Sequence, residues 1–306
     1  MKKLILGVSF IMIISLVLVM IRYQNAPQTS LPNFNQESKN DLKKPQVEEL
    51  QPIDPIKLIS YSLQNEKLHI TFDKGKNWIK VPVDHNQLFY GDYHGNKKQL
   101  IENSYIITNN RIAFIYSDHH KVLLSYSTNQ GKTWDQHVIT EQFTAIRFRK
   151  VEFLNDTFGY IIISGNRTMS QESSHVFLTT DAGENWNETT NSGITRLISD
   201  GGFIDVSTGF LSFGTINPQE PDLYFTHDSG NSWKKATFLI PEKYKQIFVS
   251  AEIPVKENDG LAVLVNQGPN GDYKGGNVKG KFISKDSGKT WEFSMEVSPN
   301  ETENME

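Results

Sequence analysis

Cysteine is absent from this chain of 306 residues, which excludes disulfides, thiol chemistry and cysteine-ligated metals. A concentrated basic region is missing too, and the formal net charge of −4 argues against nucleic acid as a partner. Arginine occurs at six positions, and no stretch after the first 21 residues keeps a helical period. Hydrophobic residues make up 37% of the chain and aromatic residues 11%, which is enough for a substantial core. Stability must therefore come from packing and hydrogen bonds.

The N-terminal part carries one long apolar run, in which the eighteen residues from Leu4 to Ile21 bear no charge. Such a run crosses most of a hydrocarbon core as a helix, and it exceeds the roughly 7 to 15 apolar residues of a typical signal peptide. No small-residue cleavage site follows it. We therefore predict a retained membrane anchor, with a secreted protein as the alternative. Because Lys2 and Lys3 precede the run, the rest of the chain is expected outside the cell.

Composition divides the chain into four predicted parts. Residues 1–22 form the anchor or signal segment, and residues 23–55 are a polar linker rich in Asn, Gln, Pro and charge. A globular part is expected over residues 56–298, followed by a polar tail over residues 299–306.

All five tryptophans end an eight-residue segment of nearly the same sequence. The segments are TFDKGKNW, STNQGKTW, TTDAGENW, THDSGNSW and SKDSGKTW, and their tryptophans lie 56, 52, 47 and 58 residues apart. A period of about 50 residues with β-rich runs between the repeats is typical of propeller blades. Two repeats also share Phe, five residues, Gly and an aromatic residue, in FLNDTFGY from Phe153 and FIDVSTGF from Phe203.

These segments resemble the Asp-box, or bacterial neuraminidase repeat, with the pattern Ser/Thr-x-Asp-x-Gly-x-Ser/Thr-Trp. The resemblance covers about residues 57–298 and implies an all-β fold, a β-propeller most simply of five blades, with six possible. It is shared with sialidases, sortilin-like receptors and photosystem II assembly factors, and it implies that each segment forms the turn between strands C and D of a blade. The residues it assigns to this structural role are Asp73, Gly75, Trp78, Asn129, Gly131, Trp134, Asp181, Gly183, Trp186, Asp228, Gly230, Trp233, Asp286, Gly288 and Trp291.

The chemistry of the segment predicts a fastener for one hairpin. A short carboxylate or amide in a tight turn accepts backbone N–H groups, glycine supplies positive φ, and tryptophan lays an apolar face on the sheet. A calcium loop is the alternative, but each segment offers one carboxylate where calcium takes several oxygen ligands. We expect no metal and no cofactor. Only three strands fit between residues 57 and 84, so the first repeat is predicted to be incomplete.

The face opposite these turns is the predicted binding face. Its B–C loops are expected at residues 117–121, 165–175, 214–222 and 266–281, because unequal loops on a repeated scaffold usually carry specificity. Arg147, Arg149 and Arg196 fall near predicted inner strands, where they could bind a carboxylate or sulfate. Ordinary surface charge is the alternative interpretation of these three arginines.

Two functions stay open. The first is a membrane-tethered, non-catalytic binding or assembly module for an extracellular protein or glycan. The second is a glycosidase similar to sialidases, although sialidases need three arginines, one of them in an Arg-Ile-Pro motif, and this chain has no such motif and no Arg in 23–110 or after Arg196. Other glycosidases use two carboxylates, for which the candidates are Glu152, Asp156, Glu220, Asp222 and Asp272.

Overall fold

A computed structural model describes residues 20, 49–169, 171–214, 218–258 and 260–299. The chain forms two units, Met1–Glu48 and Glu49–Glu306, and Met20 is the one described residue of the first. The predicted apolar run Leu4 to Ile21 thus lies outside the described residues except for Met20. Among the residues that are described, no helix has both the length and the apolar character needed to cross a membrane.

The unit from Glu49 onward is almost entirely β-structure, in agreement with the predicted all-β class, and its strands form five sheets in chain order. Sheet 1 contains β1 (Ser60–Ser62), β2 (Lys67–Thr71) and β3 (Ile79–Asp84). Sheet 2 contains β4 (Tyr105–Ile107), β5 (Ile112–Ser117), β6 (Val122–Ser127) and β7 (Asp135–Thr140). Sheet 3 contains β8 (Ile146–Phe153), β9 (Gly159–Thr168), β10 (Gln171–Thr179) and β11 (Asn187–Glu188). Sheet 4 contains β12 (Leu197–Phe203), β13 (Gly209–Gly214), β14 (Asp222–Thr226) and β15 (Lys234–Lys235). Sheet 5 contains β16 (Thr237–Leu239), β17 (Phe248–Ala251), β18 (Val255–Glu257), β19 (Gly260–Gln267), β20 (Lys279–Ser284) and β21 (Thr290–Val297).

Within sheets 1 to 4 every strand pairs antiparallel with the next strand of the chain. Sheet 5 differs, because β16 adds to its outer edge by parallel pairing with β21. Sheet 1 has three strands, as predicted for the first repeat. One short helix, α1 (His85–Leu88), follows β3 and opens the connection to sheet 2.

The hydrophobic core lies between neighbouring sheets. Four buried clusters join sheet 1 to 2, 2 to 3, 3 to 4 and 4 to 5, and none of these four joins sheet 5 to sheet 1 within the described part of the chain. In β5, Ile112 and Phe114 face sheet 1 while Ala113 and Ile115 face sheet 3. Because successive strand residues point to opposite faces, a strand buried on both sides is predominantly apolar, as β5 is from Ile112 to Tyr116.

The repeated Phe-to-Gly pattern has a steric cause. The rings of Phe153 and Phe203 lie over Gly159 and Gly209, where an added Cβ would come within 2.6 Å of the ring in each case. Between them, Asn155 and Asp205 close the turns by accepting backbone N–H groups, with 2.7 Å to Phe158 N and 2.8 Å to Thr208 N. Glycine is thus required because the phenylalanine ring occupies the space of a side chain.

The packed unit begins earlier than the predicted boundary at Ile56. Ile53 N–H donates to the Tyr61 carbonyl at 2.7 Å, and Asp54 N–H donates to Ser60 Oγ at 3.1 Å. Pro52 lies against Gly75, 3.3 Å from the position of an added Cβ. These contacts tie residues of the predicted linker to sheet 1.

Candidate functional site

The five repeated segments form the turns between the last two meander strands of each sheet, and each turn closes in the same way. The first hydroxyl accepts the glycine N–H at 2.8–3.0 Å and donates to the Asp or Asn side chain at 2.7–3.0 Å. That side chain then accepts the N–H of the residue before tryptophan at 2.8–2.9 Å. The first hydroxyl and the Asp or Asn side chain of each turn are therefore bonded within the turn itself.

Two consecutive residues of every turn have positive φ, whereas the sequence pattern pointed only to the glycine. The preceding residues have φ between 56° and 67° and are Lys74, Gln130, Ala182, Ser229 and Ser287. Their chemical variety hides the requirement, because the five positions carry four different residue types. The left-handed conformation is costly for these side chains, and the hydrogen bonds on either side impose it.

The tryptophans support the turns in unequal ways. Trp291 is fully buried, whereas the other four are half-buried. The indole N–H of Trp134 and of Trp291 donates to the glycine carbonyl of its own turn, at 3.1 and 3.0 Å. In these two turns the indole N–H therefore closes the turn on itself.

Hydrogen bonding lowers the pKa of the turn carboxylates. Bonds from the N–H and side chain of Asn185 lower the pKa of Asp181 to about 2, and bonds from Ser232 and Thr226 lower the pKa of Asp228 to about 2. Asn129 replaces the carboxylate in the second turn and makes the same backbone bond, 2.9 Å from Thr133 N. Nowhere in the described ranges do three or more His, Asp or Glu side chains gather as metal ligands would.

Arg147 links sheets 3 and 4. Its guanidinium donates to both carboxylate oxygens of Glu172, with 2.6 Å from Nε to Oε2, and to the Ile198 carbonyl at 2.6 Å. Glu172 is fully buried at its side chain and also accepts Ile198 N–H at 2.9 Å. This is a two-point ion pair inside the protein, which leaves Arg147 with acceptors of its own chain.

Arg196 is engaged in sheet 4. It donates to both oxygens of Asp222, with 3.3 Å from Nη2 to Oδ1, and to the Tyr224 hydroxyl at 2.7 Å. Lys235 lies 3.8 Å from the same carboxylate. The carboxylate of Asp222 therefore takes the position that a bound anion would otherwise occupy.

Arg149 differs from the other two because no carboxylate pairs with it among the described residues. Its side chain is buried, with the residue 2% exposed, and it donates to the carbonyls of Leu88 at 3.1 Å and Tyr90 at 2.6 Å. Nε has no partner in the described structure. Burial lowers the pKa of Arg149 to about 10, so the group stays charged at neutral pH. Arg149 thus holds the connection after α1 in place.

The three predicted arginines are consequently not one free anion-binding group. Each is occupied by acceptors of the chain, and the contacts give them a role in holding sheets and a loop. Their assignment as ligand-binding residues stays a prediction.

A cleft of about 560 Å³ is lined in part by the connection after α1, which Arg149 holds in place. It opens on the face opposite the five turns, since it is formed by the connections that follow β3 and β7 and by the β9–β10 turn. Aromatic and charged side chains both line it, among them Phe89, Tyr90, Asp92, Tyr93, Lys97 and Arg167.

The backbone of the cleft wall at Gly91 and Asp92 lies directly against β8. Gly91 has φ of +111°, and an added Cβ would lie 2.0 Å from the Ile146 carbonyl oxygen, to which Asp92 N–H donates at 2.9 Å. Beside it, Phe89 stacks on Tyr93 with ring centroids 5.8 Å apart, and His119 meets Tyr90 edge to face at 4.1 Å. The wall is therefore built from a close backbone approach and stacked rings.

The predicted binding loops meet this cleft only in part. The sequence predicts a loop over residues 165–175, but β9 continues to Thr168 and β10 begins at Gln171, so Arg167 is presented from an extended hairpin. The loop that provides most of the cleft, residues 86–97, was missed. Its signal was the aromatic run LFYGDY in a polar surrounding. A second hollow of about 470 Å³ involves the predicted loops 214–222 and 266–281.

The candidate carboxylates of a glycosidase do not converge on this cleft. Glu220 bonds Lys235 at 2.7 Å, Asp222 bonds Arg196, and Glu152 accepts the Tyr160 hydroxyl. Asp156 and Asp272 are exposed. Burial, and next the nearby Glu152, raise the pKa of Tyr160 well above its usual value, so this hydroxyl stays neutral.

No family model matches the sequence, and no curated protein is significantly similar to it. Among solved structures, a GH74 xyloglucanase from Xanthomonas campestris is similar over 75% of this chain and 34% of its own, with 14% identity and a TM-score of 0.41. A Trypanosoma rangeli sialidase in complex with sialic acid is similar over 68% and 41%, with 13% identity and a TM-score of 0.39. A Hadza microbial sialidase is similar over 76% and 52%, with 12% identity and a TM-score of 0.40. The chain thus spans between a third and about half of these proteins, and at such low TM-scores they assign it no activity.

Proposed function

We propose that this chain is a non-catalytic binding module, a β-propeller whose five sheets are its blades, that takes an extracellular protein or glycan on the face opposite the repeated turns. The cleft beside Tyr90, Tyr93 and Arg167 is the observation that carries this proposal. Clefts that combine apolar rings with a few polar groups are common ligand sites. In the five turns, in contrast, the first hydroxyl and the Asp or Asn side chain are bonded within the turn.

The test is capture of a partner by the full chain from its native membrane, with two matched variants. Thr144→Trp places a large side chain at an exposed position of the cleft, and Lys289→Glu reverses a charge at an exposed position of a repeated turn. We expect Thr144→Trp to abolish capture and Lys289→Glu to leave it unchanged. The reverse result would place the binding site on the face of the turns.

The location outside the cell belongs to the same proposal. It rests on the apolar run Leu4 to Ile21 and on Lys2 and Lys3 before it. Protease added to intact cells should release a folded fragment that begins between residues 23 and 55. A mature N-terminus between Gln24 and Ser30 would instead show a cleaved signal and a secreted protein.

A glycoside hydrolase is the second candidate, as in the sequence-based alternative. Such an enzyme needs two carboxyl groups about 5 to 10 Å apart across a cleft, and Glu152, Glu220 and Asp222 are already bonded to other side chains. Aryl glycosides incubated with the full chain decide between the two functions. Hydrolysis by the wild-type chain that is lost in Glu152→Gln or Asp222→Asn would show that the protein is a glycoside hydrolase and not a non-catalytic binding module.

A further inference from the structure

The cleft has an uncompensated positive charge behind its wall. Arg149 is buried and donates to two main-chain carbonyls of that wall, at Leu88 and Tyr90, and no carboxylate pairs with it in the described part of the chain. A buried ion normally has a counter-ion, because carbonyl dipoles replace only part of the lost hydration. Arg147 and Arg196 in the same protein each have one, in Glu172 and Asp222.

Two further cations line the same cleft. Lys97 is exposed, and its ammonium group forms no ion pair among the described residues. Arg167 is 45% exposed at its side chain and lies 3.9 Å from Asp92, at the outer limit of an ion pair. Asp92 is itself bonded to His94 at 2.9 Å. The cleft thus has one carboxylate, already engaged, against three cationic side chains in and behind its wall.

From this arrangement we propose that the cleft binds an oxyanion, a carboxylate, sulfate or phosphate group carried by its ligand, and that Arg167 and Lys97 contact it. Arg149 acts as a positioning residue, since it holds the wall and contributes its charge from behind. This inference rests on the proposed binding function and specifies the chemistry of the same site. Tyr90 and Tyr93 then contact the uncharged part of the ligand next to the anion.

Titration calorimetry with the full chain in detergent tests the proposal, with sodium phosphate, sulfate and acetate as probes and chloride at equal ionic strength as the reference. We expect phosphate and sulfate to bind more tightly than chloride. Arg167→Gln and Lys97→Gln should each weaken binding about tenfold, the value of one charge-assisted hydrogen bond. Lys289→Gln, which removes an exposed cation from a repeated turn, should leave binding unchanged. The order of phosphate, sulfate and acetate identifies the source of the oxyanion.

The possible failures are separable. Equal heats with chloride, or equal losses in Lys289→Gln and Arg167→Gln, would overturn the oxyanion inference. A partner captured equally well by the wild-type chain and Arg167→Gln, but lost in Thr144→Trp, would also overturn it while leaving the binding function intact. Capture that survives Thr144→Trp would overturn the proposed site as a whole.

Discussion

The face that carries the five repeated turns and the opposite face are stabilised by different kinds of contact. On the first, one hydrogen-bond pattern recurs five times and spans at most four residues of sequence. On the second, contacts are unique, as in the Arg147–Glu172 pair or the loop held by Arg149. The repeated face is therefore held by local bonds within each turn, whereas the opposite face, which carries the cleft of about 560 Å³, is held by contacts between remote residues.

The largest expected effect concerns the repeated face. Trp291 is fully buried and bonded to Gly288, so Trp291→Ala should lower the free energy of unfolding by about 3–5 kcal/mol. Trp78 is half-buried in the three-stranded sheet, and Trp78→Ala should cost clearly less. Denaturant unfolding of both variants measures the difference. Equal losses would show that burial of the indole does not decide its contribution.

On the opposite face, the free energy of unfolding should depend strongly on the Arg147–Glu172 ion pair. Glu172→Ala removes the buried partner of Arg147 and of Ile198 N–H, which should cost about 3 kcal/mol because a buried charge is left unpaired. Glu220→Ala removes an exposed partner of Lys235 and should change stability by less than about 1 kcal/mol. Similar losses in the two variants would contradict the distinction between buried and exposed pairs.

A smaller effect is expected when one repeated turn loses its hydroxyl. Thr179→Val keeps the shape but leaves the Gly183 N–H and Asp181 without their partner, at a cost of about 1–3 kcal/mol. Thr190→Val, in an irregular segment, serves as the control and should be neutral. A Thr179→Val variant as stable as that control would mean that the shared hydrogen bonds do not hold the turns.

The smallest effect is a pH dependence that differs between turns. The folded pKa of Asp181 and of Asp228 is about 2, below the ordinary 3.8, so the unfolded chain binds these protons more tightly. Their contribution is present above about pH 4 and is lost as the pH falls towards 2. Asp181→Asn should flatten the loss of stability over this range, and Asn129→Asp should steepen it. Acid unfolding curves that coincide for the wild-type chain and both variants would show that the turn carboxylates do not cause the loss of stability at low pH.

Much of the repeated face could be predicted from sequence, because its information is local. The spacing of Thr179, Asp181 and Gly183 predicts that these three residues bond to one another in the turn. The Phe153-to-Gly159 pattern indicates that the phenylalanine ring lies over the glycine. The left-handed residue before each glycine was missed for a physical reason. Backbone hydrogen bonds impose that conformation on any side chain, so it leaves no residue signature.

The opposite face could not be predicted in the same way. Arg147, Arg149 and Arg196 have the same chemistry, and nothing near them in sequence distinguishes an arginine that has a counter-ion from one that does not. Their partners are 25 residues away for Glu172, 61 for Leu88 and 26 for Asp222. Strand pairing within sheets 3 and 4 brings Glu172 and Asp222 to their arginines. Arg149 reaches Leu88 because the connection after β3 lies against β8.

The sequence by itself determined the all-β class, the five fastening turns and the three strands of the first sheet, since each depends on bonds and alternation within a few residues. The tertiary structure decided which arginines are neutralised and that residues 86–97 and Arg167 share a cleft. It also decided that the charge of Arg149 lies buried behind that cleft without a carboxylate in the described residues. Charge compensation depends on distances between remote parts of the chain, and those distances exist only once the strands have paired and the sheets have packed.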